Sequence, residues 1–182
     1  KKQKPLWRRI VKWIVLALMA CIIAGIAYTA FVICTTPEIN PDNIYEELNQ
    51  TSVIHDDTGE ILEYVATAEI RTNVTYDQMP QNLINAFVAI EDKTFFEHNG
   101  FNFVRILGAI KESIFSNKDV SGTSTITQQL ARNLYLTKDR TMTRKIREAY
   151  YTIILEKNLT KEQIIEAYLN TISLGFGSLG VQ

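Results

Sequence analysis

The chain opens on an uninterrupted apolar block and then breaks into shorter periodic ones. The 24 residues from Trp13 to Thr36 carry no charge, and as a helix they extend about 36 Å, enough to cross a ~30 Å hydrocarbon layer with some tilt. Pro37 to Gln50 is polar and acidic, contains Pro37 and Pro41, and reads as a short linker. Between Thr51 and Thr75, Ser-Val-Ile-His and Glu-Ile-Leu-Glu-Tyr-Val flank Asp56-Asp57-Thr58-Gly59, which predicts two short strands around a turn. From Pro80 the period becomes helical. Pro80 suits a first helical turn, with Leu83, Ile84, Phe87, Val88 and Ile90 continuing the face. A second stripe runs through Phe103, Ile106, Leu107, Ile110 and Ile114. A third runs through Ile126, Leu130 and Leu134, with Thr123 or Ser124 as the expected N-cap. Ile146, Ala149, Tyr150, Ile153 and Ile154 make a fourth that Asn158 closes, and Thr160-Lys161-Glu162-Gln163 is a capping box opening a fifth. The predicted fold class is mostly α with a small β element, preceded by a single transmembrane helix.

Charge gives the apolar block a direction. Lys1, Lys2, Lys4, Arg8, Arg9 and Lys12 precede it without an acid, and Glu38, Asp42, Glu46 and Glu47 follow it without a base until Arg71. The positive-inside rule then places the N-terminus in the cytoplasm and the remainder outside. A cleaved signal peptide is the competing reading, but its apolar core runs only about 7–15 residues before a small-x-small site, and Phe31-Val32-Ile33-Cys34 offers none. Both cysteines, Cys21 and Cys34, belong to this block, so no intrachain disulfide framework staples the rest. The net charge of −1 hides an asymmetry: setting aside the six basic residues of the first twelve leaves 13 basic against 20 acidic. Nucleic acid is a poor partner for such a domain.

Three polar constellations carry the candidate chemistry. The first is Glu91-Asp92-Lys93-Thr94-Phe95-Phe96-Glu97-His98-Asn99-Gly100. Glu91 ends an apolar helix face, where partial desolvation strengthens a carboxylate as proton acceptor; a solvated helix end beside Lys93 is the alternative. His98 reads as a structural hydrogen-bonder, Asn99-Gly100 as a turn, and Phe95 and Phe96 as core. The second is a loop, Asp119 to Ser124, followed by a helix presenting Thr127, Gln128 and Gln129. The third lies between Arg132 and Arg147, where Arg132, Lys138, Arg140, Arg144, Lys145 and Arg147 face one acid, Asp139. Arg144 and Glu148 at i,i+4 share a face. Arg forks and Lys point charges suit pyrophosphate oxygens, and a plain surface ion pair is the other reading.

Taken in order, Glu91-Asp92-x-x-Phe95-x-x-His98-x-Gly100, Gly122-x-Ser124-Thr125-Ile126-Thr127-Gln128-Gln129-Leu130-x-x-Asn133, Arg144-Lys145-x-x-Glu148 and Lys161-x-x-Ile164-x-Glu166-x-Tyr168-Leu169-Asn170 resemble the peptidoglycan glycosyltransferase module of class A penicillin-binding proteins and monofunctional transglycosylases. The resemblance implies a lysozyme-like, two-lobed helical domain that polymerises lipid II by inverting β-1,4 transfer with release of undecaprenyl pyrophosphate. It implies Glu91 as the base on the acceptor 4-hydroxyl and Glu148 as the second catalytic glutamate. Arg132, Arg144 and Lys145 would hold phosphate oxygens, while Asp92, Ser124, Thr125, Gln128, Gln129 and Asn133 would line the cleft. No cofactor is required by the sequence, although the resemblance admits a divalent cation, Mg or Mn, at Glu148. The implied partners are lipid II, the growing glycan strand, the membrane and other cell-wall synthesis or division proteins, at the bacterial cell membrane. Arg132 stands where many relatives carry Lys. The organisation expected is a basic cytoplasmic tail (1–12), a transmembrane helix (13–36), a linker (37–50) and a glycosyltransferase domain (51–182) whose C-terminal helices would follow Gln182. Phe101, Phe103 and Phe115 read first as core and second as contacts to the outer leaflet. Two further functions compete: a membrane-anchored lysozyme-like glycan-cleaving enzyme, which has no need of a basic cluster, and a non-catalytic lipid-pyrophosphate-binding scaffold.

Overall fold

The structure, a computed structural model, describes residues 6–44, 53–55, 61–64, 73–116, 122–137, 139–175 and 178–181. The predicted turn at Asp56–Gly59, residues 119–121 of the predicted Asp119–Ser124 loop and Lys138 lie outside the described residues. The fold is mostly helical, as the periodicity requires.

Helix α1 (Leu6–Cys34) is the apolar block, and its span Ile10–Cys34 is long and apolar enough to cross a membrane. Its side chains are exposed along nearly the whole length, until Val32 and Thr36 become buried. There it meets the rest of the protein: the Tyr28 and Thr143 hydroxyls pair at 2.7 Å, and the Tyr151 hydroxyl donates to the Pro37 carbonyl at 3.0 Å. Residues 37–44, read as spacer, are packed down. Ile44 is fully buried in the core, Ile39 packs against it, and a 3-10 turn at Pro41–Asn43 lies on the same helix as Thr143.

Strands β1 (Val53–His55) and β2 (Ile61–Tyr64) pair antiparallel, with a register shift between Ile54 and His55. Five helices follow: α2 (Gln81–Glu91), α3 (Phe103–Ser116), α4 (Ile126–Tyr135), α5 (Met142–Asn158) and α6 (Lys161–Thr171). Strands β3 (Ser173–Gly175) and β4 (Ser178–Leu179) form a second small antiparallel pair. Helix α4 packs on both α5 and α6, and its face of Ile126, Leu130 and Ala131 is buried against Leu155, Ile164, Ile165 and Leu169. Each fully buried Leu or Ile side chain stabilises by about 1.5–3 kcal/mol, so this three-helix contact is the anchor of the core.

The local signals explain the boundaries. Helix α6 starts at Thr160, whose hydroxyl accepts the Gln163 amide while the Gln163 side chain returns to the Thr160 amide. Helix α2 starts after Pro80, which stands at the N-cap and not inside the first turn. Helix α4 is capped by Thr125, not by Thr123 or Ser124, because Gln128 three residues on completes a capping box with Thr125 alone.

Two core assignments change. Phe95 is fully buried, but Phe96 is half exposed. Phe103 and Phe115 are 68% and 79% exposed, and with Val104, Leu107 and Ile114 they turn the apolar side of α3 outward. Phe101 is partly buried and stacks near Phe103. The period of α3 was legible, but the medium it faces is not the protein core.

Candidate active site

Glu91 is the last residue of α2, and the chain turns sharply after it. Asp92 is fully buried, and its Oδ2 lies 2.9 Å from His98 Nε2 and accepts the Ile126 amide at 3.2 Å. The Gly100 amide donates to His98 Nδ1 at 3.1 Å, so the ring proton must sit on Nε2 and point at Asp92. A buried carboxylate at the first amide of α4 also sits on the positive end of that helix, where negative charge is favoured. The turn then closes on α4 a second time, because the Thr125 hydroxyl donates to the Gly100 carbonyl at 2.7 Å. Gly100 has φ +84°, and a Cβ there would lie 2.7 Å from Thr152 Cγ2, so only glycine fits. These bonds fix the first constellation to the start of the second.

Asp92, Thr125 and Gln128 are therefore held by protein partners: Asp92 by His98 and Ile126, Thr125 by Gly100, and Gln128 by the Thr125 amide. They build the scaffold beneath the site. Asn133 is exposed and Arg132 partly exposed on the C-terminal half of α4.

Glu91 itself is partly buried, and two groups hold it. Gln129 Nε2 donates to Glu91 Oε2 at 2.8 Å, and Arg105 Nη1 donates to the Glu91 carbonyl oxygen at 2.5 Å. Arg105 comes from the first turn of α3, where Asn102 accepts its amide, and its Nη2 approaches Gly122. Sequence reasoning missed Arg105, a lone charge inside an apolar stripe with no spacing signal. It also read Tyr168 only as part of a motif. Tyr168 reaches Gln129 Oε1 with its hydroxyl at 3.4 Å, and burial, with Glu91 nearby, pushes its phenol up to about 12 while Arg132 pulls the other way.

Arg144, Lys145 and Arg147 of the third constellation lie on the first turns of α5, capped by Thr141, with Glu148 beside them. Glu148 is 0% exposed. Its Oε2 accepts Arg144 Nη1 at 3.0 Å, and its Oε1 accepts Lys145 Nζ. Lys145 Nζ also lies 3.5 Å from Ser124 Oγ. Two cations against one carboxylate leave a net positive group, and Arg144 Nε, buried, has no partner among the described residues. Helix α4 and the residues before it thus join the two charged centres. Ser124, two residues before α4 begins, touches the cationic group, and Gln129, in the first turns of α4, touches Glu91. A cavity of about 730 Å³ opens beside the Glu91 turn, with Ile90, Lys93, His98, Phe101 and Arg105 among its lining residues and without the α5 cations.

A divalent cation at Glu148 does not fit the donor set. Both its oxygens are taken by cations, and among the described residues no three His, Cys, Asp or Glu side chains gather. Glu166 and Asn170 of the fourth motif serve the fold: Glu166 Oε2 accepts the Tyr76 amide at 2.7 Å, and Asn170 pairs with both backbone groups of Val74.

A family model described as Transglycosylase matches residues 58–182. Penicillin-binding protein 1A of Clostridium perfringens (strain 13 / Type A) is 40% identical over 182 aligned residues, covering 95% of this chain and 26% of the relative. Penicillin-binding protein 1A of Clostridium botulinum (strain Langeland) is 37% identical over 188 aligned residues, covering all of this chain and 22% of the relative. Penicillin-binding protein 2D of Bacillus subtilis (strain 168) is 42% identical over 136 aligned residues, covering 75% of this chain and 20% of the relative. The chain spans about a quarter or less of the length of these curated relatives.

Proposed function

The chain belongs to the transglycosylase family, and on that footing we propose that it is a peptidoglycan glycosyltransferase. In this reading α1 anchors it in the bacterial cell membrane with the basic N-terminus in the cytoplasm. The substrate is lipid II, the product a β-1,4-linked glycan strand, and the leaving group undecaprenyl pyrophosphate.

The observation that carries the reading is the link through α4, with Glu91 held at Gln129 and the α5 cations reached at Ser124. Inverting displacement at an anomeric carbon needs a base for the incoming hydroxyl and fixed positive charge for the departing diphosphate, with no protein nucleophile. Glu91 Oε2 is occupied by Gln129, and Oε1 has no hydrogen-bond partner among the described residues. Oε1 takes the proton from the acceptor 4-hydroxyl as that oxygen attacks the donor sugar. Arg144 and Lys145 meet the diphosphate oxygens as the glycosidic C–O bond breaks, and Arg132 adds charge from α4. Glu148 keeps the two α5 cations extended and side by side. The scaffold residues Asp92, Thr125 and Gln128 act by holding the Glu91 turn against α4. The domain boundaries proposed are 1–12, 13–36, 37–50 and 51–182, with residues 37–44 docked on the domain. A hydrolase acting on finished strands has no use for the α5 cations, which favours transfer over cleavage.

The test is Glu91→Gln. Lipid II binding stays within about twofold while polymerisation falls by roughly 10²–10⁴, the usual share of a general base. A variant that polymerises lipid II at the original rate sinks the assignment.

A further inference from the structure

We infer that Gln129 and Tyr168 form a positioning relay for Glu91, in which the Tyr168 hydroxyl anchors the far end of the Gln129 amide and so holds its NH₂ end against the glutamate. The inference rests on the reading of Glu91 as the base.

Gln129 has one donating and one accepting end, and each is engaged: Nε2 with Glu91 Oε2 at 2.8 Å and Oε1 with the Tyr168 hydroxyl at 3.4 Å. Turned over, the amide would set its oxygen against the Glu91 carboxylate, which only accepts, whereas the phenol both donates and accepts and would meet either end; the glutamate therefore sets the orientation of the amide and the phenol its position. The phenol is a dependable donor, because it stays protonated up to about pH 12. Tyr168 is itself fixed, buried on α6 with the edge of its ring against Phe87 at 6.4 Å. Glu91 thus keeps Oε2 hydrogen-bonded and Oε1 available in one orientation. Charged and titratable groups beside it are Tyr168 from α6, Arg105 from α3, and Asp92 and the exposed Lys93 next along the chain, with Arg132 of α4 facing Tyr168. Arg132 acts on Tyr168, Arg105 is spent on the Glu91 carbonyl, and Asp92 on His98 and α4. Gln129 is therefore a positioning residue and not one that lines the cleft for sugar.

The test uses the full-length protein with lipid II and pH–rate profiles of polymerisation from about pH 5 to about pH 9. In Tyr168→Phe the ring packing remains but the amide loses its anchor and swings away from Glu91 Oε2 in part of the population. Turnover falls by roughly 5- to 20-fold, KM stays within about twofold, and the acid limb moves to higher pH because the carboxylate form has lost a donor in part of the population. Gln129→Glu, of the same shape, places a second carboxylate against Glu91 and moves the acid limb further in the same direction, with activity recovering at high pH. The Gln129→Glu profile stands by itself if Tyr168→Phe does not fold. Acid limbs that stay in place, or a raised KM with unchanged turnover, overturn the relay and return Gln129 to substrate contact. An original protein that does not polymerise lipid II overturns the underlying reading instead.

Discussion

Replacing Glu148 by Gln isolates the cost of the cationic group. Glu148 is fully buried and accepts from Arg144, itself 16% exposed, and from Lys145, 46% exposed. The substitution keeps the shape and removes the only negative charge between two like charges. Breaking a buried ion pair by deleting one partner costs about 3–5 kcal/mol, because the remaining charge stays desolvated. Lys145 turns to water and is screened, so the loss falls at the low end, about 3 kcal/mol. For a chain of this size that lowers the Tm by about 6–12 °C, read by thermal unfolding in detergent. The double substitution Arg144→Gln/Glu148→Gln removes the stranded guanidinium as well, and the cycle gives a coupling of at least ~1 kcal/mol. A Tm change below about 2 °C, or additivity of the two single losses to within about 0.5 kcal/mol, refutes the description of Glu148 as the buried counter-charge of this pair.

Gly100→Ala loses about 2–5 kcal/mol, from a left-handed backbone that a Cβ resists and from its collision with Thr152 Cγ2, measurable by denaturant unfolding. Because Gly100 also bonds His98 and Thr125, activity falls with stability in the same variant. At high pH the folded protein holds the Tyr168 proton longer than the unfolded chain does. The corresponding stability is whole below pH 10, its ordinary value, and is lost as pH rises through about 12, so alkaline unfolding in that window is shallower in Tyr168→Phe.

The elements that depend on local chemistry were legible. The uncharged block gave α1, Thr160 and Gln163 gave the start of α6, and Glu91 stood visibly at the end of an apolar face. The start of α4 was misplaced because Thr123, Ser124 and Thr125 all qualify as caps. The deciding signal was the partner three residues on, Gln128, which fits Thr125 only. Long-range pairings were not legible. Nothing near Arg105 in the chain announces its bond to the Glu91 carbonyl, and Gln129 to Tyr168 is a contact across 39 residues. The α3 face shows the other limit: periodicity says which residues share a side, and burial alone says what covers them. Phe103 and Phe115 are uncovered by protein.

The docking of α1 sets a depth. Tyr28 meets Thr143 and Pro37 meets Tyr151, so α5 climbs alongside the last turns of the anchor in the same direction. Arg144, Lys145 and Glu148 fall between those two rungs, level with the Cys34 end of the apolar span. On the proposed function, the anchor acts as a gauge, holding the arginine and lysine at the depth of a lipid-borne diphosphate. In that reading, at about 0.8 kcal/mol for every CH₂ drawn into water, a site placed even one helical turn higher would have to lift isoprenoid tail out of oil at each cycle.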